Sequence, residues 1–224
     1  KLYIATWGFG VFEHSINGET KLINALNSNI SLNVNHLSSN GNLLWVSTIK
    51  GITSYNLVTK EIKNYPGIAG KVELDIAITY PLSNNKLLLG TRKNGLIFYN
   101  GNEFSKLLSS EISASPTSIS YDKEKDLVFI GTEGAGVYLL KNLKIFKHIN
   151  HRDDKIISDF ITSLKYANNK LWIASNKGIS TFDLDKEKVE NFNQFDGFTP
   201  IEAKLNAIDY DTKLAIGTVG GVVF

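Results

Sequence analysis

The chain contains no cysteine and no methionine. Without cysteine there is no disulfide, no thiol nucleophile and no Cys-based zinc site. A cysteine-free chain suits an oxidising compartment, where stray thiols cross-link. A sequence without methionine does not begin at a start codon, so the expectation is a processed protein or an excised piece. Proline is scarce, with 4 residues, and arginine occurs only at positions 92 and 152, lysine supplying almost all the positive charge. Charge of either sign is not in excess: 24 basic residues face 22 acidic ones, for a net of +2. That balance provides no strong field for nucleic acid or an anionic membrane. The longest apolar run, near residues 214–224, is broken by glycines and too short to span a bilayer. No apolar pattern at helical spacing is sustained anywhere, which excludes helical repeats.

What is present is a repeat. A five-residue phrase occurs six times: LYIAT at 2–6, LWVST at 44–48, LLLGT at 87–91, VFIGT at 128–132, LWIAS at 171–175 and LAIGT at 214–218. Successive copies lie 41 to 43 residues apart. A few residues after each closing Thr or Ser comes a glycine: Gly10, Gly51, Gly95, Gly136, Gly178 and Gly221. A second apolar run follows each glycine. Two β-rich runs around a short glycine-bearing loop predict a hairpin, glycine supplying the positive φ of the turn.

Two weaker runs complete each unit. One follows the hairpin, around Glu61 to Tyr65, Phe104 to Leu108, Lys144 to His148 and Val189 to Phe192. It alternates and is polar enough for an edge strand. The other precedes the next phrase, around Val34 to Leu37, Ile76 to Thr79, Thr117 to Ser120, Ile161 to Leu164 and Leu205 to Ile208. We label the four strands a, b, c and d, the phrase being strand b. The b strands are apolar on both faces, so their sheets must be covered on both sides. An antiparallel four-stranded unit of about 42 residues, covered on both faces by its neighbours, predicts a propeller blade. The small residue before each Thr or Ser (Ala5, Ser47, Gly90, Gly131, Ala174, Gly217) predicts close sheet-to-sheet approach.

The fold class expected is therefore all-β, a β-propeller of four-stranded antiparallel blades. Residues 1–224 read as a single propeller region that starts at strand b of one blade and ends at strand c of another. That strand count fits neither a closed five-bladed nor a closed six-bladed ring. The expectation is an arc of five to six blades cut from a larger, seven-bladed propeller, with a six-bladed object carrying two incomplete blades as the alternative.

The phrase, its short loop and the Gly-Leu that follows resemble the two-component regulator propeller repeat. KLWIASNKGISTFD at 170–183 carries the resemblance best, and 43–56 and 86–100 are near it. Six copies extend the resemblance over the whole chain. Ala or Ser replaces the family's Gly in three copies, and Ala215 stands where an aromatic is usual. The resemblance implies the extracytoplasmic sensor domain of a bacterial two-component histidine kinase, one of the hybrid kinases that respond to glycan breakdown products. It implies a periplasmic or extracellular location in a membrane-anchored protein. It also implies a non-catalytic propeller in a parent that carries the kinase, with flanking blades and signalling modules as partners and no cofactor.

Candidate site residues follow from the propeller, whose b–c turns and d–a loops share a face. The long d–a loops are 24–33, 65–75, 108–116, 150–160 and 193–204, and variable loops on a regular frame are where binding usually lives. The b–c turns carry Trp7, Phe9, Lys50, Arg92, Lys93, Glu133 and Lys177. Their positive excess points to an acidic or polyhydroxylated ligand, a small polar molecule or an oligosaccharide. The plainer reading is that short turns are solvated and lysine-rich because the whole chain is. Trp7 and Phe9 suit stacking on a sugar ring or a partner chain, or packing on a neighbouring blade. His148, His151, Arg152, Asp153 and Asp154 form the densest chemical cluster. His151 and Arg152 join the ligand candidates, while the spacing reads as a solvated loop rather than a metal site.

No paired carboxylates, nucleophile elbow, phosphate loop or dinucleotide fingerprint marks an enzyme. Glu133, Asp159 and Asp196 fall in separate segments. The first expectation is thus a sensor working through a ligand at the loop face or through homodimer contacts, without nucleic acid and without metal. A protein-interaction scaffold and a lyase or glycosidase propeller are the rival readings.

Overall fold

The computed structural model describes residues 1–65, 75–82, 85–192, 196 and 202–224. Most of the loop 65–75 and most of the loop 193–204 lie outside the described residues. Six antiparallel sheets follow one another along the chain, each a propeller blade. The first holds β1 (Leu2–Thr6), β2 (Gly10–His14) and β3 (Thr20–Leu22). A one-turn helix, α1 (Asn24–Asn27), leads to the second, made of β4 (Val34–Asn40), β5 (Leu43–Thr48), β6 (Gly51–Asn56) and β7 (Ile62–Tyr65). The third holds β8 (Ile76–Pro81), β9 (Leu87–Thr91), β10 (Gly95–Tyr99) and β11 (Phe104–Leu107). The fourth holds β12 (Pro116–Asp122), β13 (Leu127–Thr132), β14 (Val137–Lys141) and β15 (Lys144–Ile149). The fifth holds β16 (Ile161–Ala167), β17 (Lys170–Ser175), β18 (Gly178–Asp183) and β19 (Lys188–Phe192), and the sixth β20 (Ala203–Tyr210), β21 (Leu214–Thr218) and β22 (Gly221–Val223). The first sheet has strands b, c and d and the last a, b and c, as the repeat predicts. Two compact units divide the chain, Lys1–Ser115 with three blades and Pro116–Phe224 with three.

The repeated Thr or Ser and glycine build each b–c turn by one device. All six turn glycines have positive φ, from 68° at Gly95 to 142° at Gly178. At each, the preceding hydroxyl donates to the glycine carbonyl: Thr6, Thr48, Thr91, Thr132, Ser175 and Thr218, over 2.7–3.1 Å. In five turns the same oxygen accepts an N–H from inside the turn, from Lys50, Asn94, Ala135, Lys177 or Gly220. A hydroxyl that donates and accepts closes a turn that would otherwise bury open polar groups.

Successive b-strand side chains enter different interfaces. Leu44 and Val46 join Val11, Leu26, Val34 and Tyr55 against the first blade. Trp45, between them, joins Ile76, Leu87, Leu89 and Ile97 of the third. In the second unit Phe129, Ile161, Leu164, Ile173 and Phe182 fill the space between the fourth and fifth blades. Ala174, Ile179, Ala203 and Ile216 do the same between the fifth and sixth. The small residue before the hydroxyl is required by this packing. A Cβ on Gly131 would stand 2.6 Å from Ile161 Cγ2 of the next blade. At the matching place in the first unit, the Ser47 and Thr79 hydroxyls bond each other across the blades at 2.7 Å.

The a strands differ from the expectation in two ways. They run six to eight residues, longer than the apolar signal, because their far ends are polar (Ser38 to Asn40, Tyr121 and Asp122, Lys165 and Tyr166). Each also shifts register near its start, between Val34 and His36, Ile76 and Ile78, Pro116 and Ser118, Ile161 and Ser163, and Ala203 and Ile208. A bulge inserts an unpaired residue and bends the strand.

Candidate functional site

The b–c turns are tied to the d–a loops through backbone bonds. In the first blade the amides of Gly8 and Gly10 donate to the Leu32 carbonyl at 3.1 and 3.0 Å, and Trp7 bridges Asn33. In the fourth blade Gly134 and Gly136 donate to the Asp159 carbonyl at 3.1 and 3.0 Å, and Glu133 bridges Phe160. The loops are therefore held close to the turns that carry the candidate residues.

Within the first unit, Trp7 and Phe9 stand out from the frame, 62% and 69% exposed. Neither fills an interface between described blades. Beneath them Asn27 acts as a peptide mimic: its Oδ1 accepts from the Val11 amide at 3.0 Å and its Nδ2 donates to the Val11 carbonyl at 3.3 Å. Arg92 is exposed but ion-paired, its Nε 3.4 Å from Asp75 Oδ2. Ser115 holds the Arg92 carbonyl at 2.9 Å. Lys93 is exposed, and so is Lys50. Among the described residues neither lysine has an ion-pair partner.

Lys50 borders an open cleft of about 330 Å³ at the second blade. Gly51, Ile52 and Thr53 form its floor, Asn29 to Ser31 one wall, and Asn64 and Tyr65 the other. Thr53 Oγ1 donates to Asn64 Oδ1 at 2.8 Å, which leaves the Asn64 amide nitrogen to other partners. Lys63 lies over the Tyr65 ring, 4.9 Å from its centroid. Sequence reading named Lys50 as a turn candidate but missed Thr53, Asn64 and Tyr65, because cross-strand partners eleven or thirteen residues apart leave no local pattern.

In the second unit Glu133 and Lys177 are exposed, as are His151 and Arg152. The histidines are engaged with backbone. His148 Nε2 lies 2.6 Å from the Ala135 carbonyl and its ring stacks on Tyr138 at 4.1 Å. His151 Nδ1 meets the Ile156 carbonyl at 2.5 Å, and its amide donates to Asp159 Oδ1 at 2.7 Å. Asp153 and Asp154 cap the turn through Asn150. Among the described residues no group of three or more His, Asp or Glu could hold a metal ion. Glu133 and Asp159, distant in sequence, do share one loop junction. A second, apolar cleft of about 280 Å³ is lined by Trp172, Phe192, Leu214, Ile216 and Phe224.

One polar group has no sequence signal of its own. His36 follows the bulge of β4, and its Nδ1 is sealed from solvent with no hydrogen-bond partner among the described residues; Ser38 Oγ, two residues on, is in the same state. Burial pushes the His36 imidazole down from 6.5 to about 4, so it is neutral at neutral pH.

No family model matches the chain, and no curated protein matches it. Solved structures do. The extracellular domain of BT3049 of B. thetaiotaomicron, described as a hybrid two-component system, aligns with a TM-score of 0.78 at 23% identity, over 98% of this chain and 31% of that one. The extracellular domain of BT4673 of the same organism, described as a one-component system, aligns with a TM-score of 0.74 at 18% identity, over 98% and 30%. XC5397 of Xanthomonas campestris, a gluconolactonase, aligns at 0.65 and 11% identity, over 95% and 76%. At these identities the likeness establishes the fold. The chain spans about a third of the two extracellular domains it matches. No helix among the described residues is long and apolar enough to cross a membrane.

Proposed function

We propose that this propeller is a non-catalytic extracytoplasmic sensor module of a bacterial two-component signalling protein. The observation that carries the reading is the likeness, over nearly the whole chain, to extracellular domains of two signalling systems. The residues support it. The repeat spends its polar side chains on closing turns, and the exposed candidates Trp7, Phe9, Lys50 and Lys93 stand on rigid turns without an acid–base pair beside them. Ligand binding, or a contact between two copies, would bias a two-state equilibrium in the parent chain. A polar ligand, including a glycan fragment, fits turns rich in lysine, amide and aromatic groups.

The gluconolactonase neighbour defines the rival. If such hydrolysis used a metal ion, its ligands would have to converge on that ion. The described residues offer no such group. The test is thermal melting of the chain against a panel of oligosaccharides, organic acids and lactones, with each mixture assayed for product. A sensor gives a saturable rise in Tm with the ligand recovered unchanged. Turnover of any panel member would overturn the reading.

A further inference from the structure

The second and fifth blades carry the same pair of side chains at the same register. Thr53 faces Asn64, and Ser180 faces Asn191, each hydroxyl donating to the amide oxygen. The surroundings match too: Lys50 corresponds to Lys177, and the loop 23–33 has the same length as the loop 150–160. What the pair does differs. In the fifth blade it is occupied by the chain itself. Asn191 Nδ2 donates to the Lys155 carbonyl at 2.8 Å, and the Ile157 amide donates to Ser180 Oγ at 3.0 Å. Ile156, between them, is fully buried. One short stretch of peptide thus satisfies the pair with a carbonyl, an aliphatic side chain and an N–H, in that order.

In the second blade the matching loop lines a cleft beside the pair, through Asn29, Ile30 and Ser31. Asn29 occupies the position of Ile156 and is exposed. Among the described residues no loop group bonds Thr53 Oγ1 or Asn64 Nδ2, and the space is the cleft of about 330 Å³. That is within the size range of small-molecule sites. From the fifth blade we infer that this cleft binds a short peptide by its C-terminal end, through an acyl carbonyl, the N–H two residues on and the free carboxylate. The inference rests on the reading of the propeller as a binding module. The ligand's acyl carbonyl accepts from Asn64 Nδ2, and the N–H two residues on, the counterpart of Ile157, donates to Thr53 Oγ1. In the fifth blade the segment runs on to Ser158, whose hydroxyl bonds Asn176 beside Lys177. A ligand following that path places its terminal carboxylate toward Lys50. The Tyr65 ring walls one side of the cleft.

The test is calorimetric titration of the chain with N-acetyl-alanyl-alanine, with the same peptide amidated at its C-terminus, with N-acetyl-alanine, and with glucose. The free dipeptide binds with a dissociation constant in the millimolar range or tighter, and the amidated form binds several-fold more weakly. N-acetyl-alanine lacks the second N–H and binds several-fold more weakly than the dipeptide, and equal binding would overturn the Thr53 contact. Asn64→Asp replaces the donor by an acceptor of equal size and weakens the dipeptide about tenfold or more. Lys50→Gln brings the free acid down to the amide's affinity. Lys144→Gln, on the outer strand of the fourth blade, changes nothing. Failure of the dipeptide to bind at about 10 mM, or binding indifferent to Asn64→Asp in a variant that melts like the parent, overturns the assignment. Glucose or oligosaccharide binding unaffected by Asn64→Asp would overturn it while leaving the sensor reading intact.

Discussion

His36 makes stability depend on pH in a way that can be calculated. Its imidazole is held near 4 in the folded chain, against 6.5 for an unburied histidine, because burial disfavours the charged form. A group depressed on folding contributes stability that is complete above its unfolded value and is lost as pH falls toward the folded one. The full window is 6.5 down to 4. Linkage over that interval amounts to about 3 kcal/mol, and the portion lost between pH 7.5 and pH 5 to about 2 kcal/mol, less where the partly exposed ring can reach water. Other groups titrate in the same range, so the measurement is a double difference. Urea unfolding is followed for the parent and for His36→Leu at pH 7.5 and at pH 5. The leucine has no proton to gain and leaves no imidazole nitrogen unpaired, so the variant is nearly neutral at pH 7.5. The parent then loses about 1–2 kcal/mol more than the variant on acidification. Equal losses in both would refute the reasoning: they would mean that His36 charges freely in the folded chain.

Three further outcomes follow from the packing. Thr132, fully buried, donates to the Gly136 carbonyl and accepts from Ala135, so Thr132→Val costs about 1–3 kcal/mol while Thr132→Ser costs much less, read from urea midpoints. Gly131→Ala forces a Cβ to within 2.6 Å of Ile161 Cγ2 and lowers stability by about 1–3 kcal/mol, and it costs less in an Ile161→Ala background, which lacks that methyl, as a double-mutant cycle would show. The Tyr3 hydroxyl is pushed up to about 12 by burial first, then by its bond to Glu13 and that carboxylate's charge; Glu13→Gln brings it down, visible in an ultraviolet pH titration.

The repeat was legible because its logic is local. A hydroxyl, a short loop and a glycine make a turn within a few residues, and the six phrases predicted six turns that form in the same way. The b strands announced their two-sided burial by composition alone. The a strands were half hidden, since only their first residues are apolar, and their shared bulge has no composition of its own. The one-turn helix α1 is too short to carry a periodicity. The candidate residues of the turns were found as exposed side chains. Their partners were not: the Arg92–Asp75 pair and the Lys50 cleft join segments that only the strand pairing brings together, and the His151–Asp159 bond depends on how one loop folds on itself.

Blades that share a frame separate what the frame needs from what it permits. Residues three repeats apart correspond one to one: Trp45 with Trp172, Ser31 with Ser158, Thr53 with Ser180, Asn64 with Asn191. The turn hydroxyls and glycines are the same in both units because every blade must close its turn. The Thr53–Asn64 and Ser180–Asn191 pairs are not needed for closure, since the third blade has Ile97 and Lys106 at the same register and closes equally well. A polar pair that the fold does not require is filled by the chain's own peptide in one blade and faces a cleft in the other. Replacing Asn29 by isoleucine, the residue of the filled blade, joins these facts in one experiment. If the side chain enters the cleft as Ile156 enters its own, the melting temperature rises by a few degrees, as about 1 kcal/mol of added burial would give. Binding of the acyl dipeptide falls in the same variant. A variant that binds as before shows that the loop position does not govern the cleft, and the correspondence between the two blades then ends at the side-chain pair.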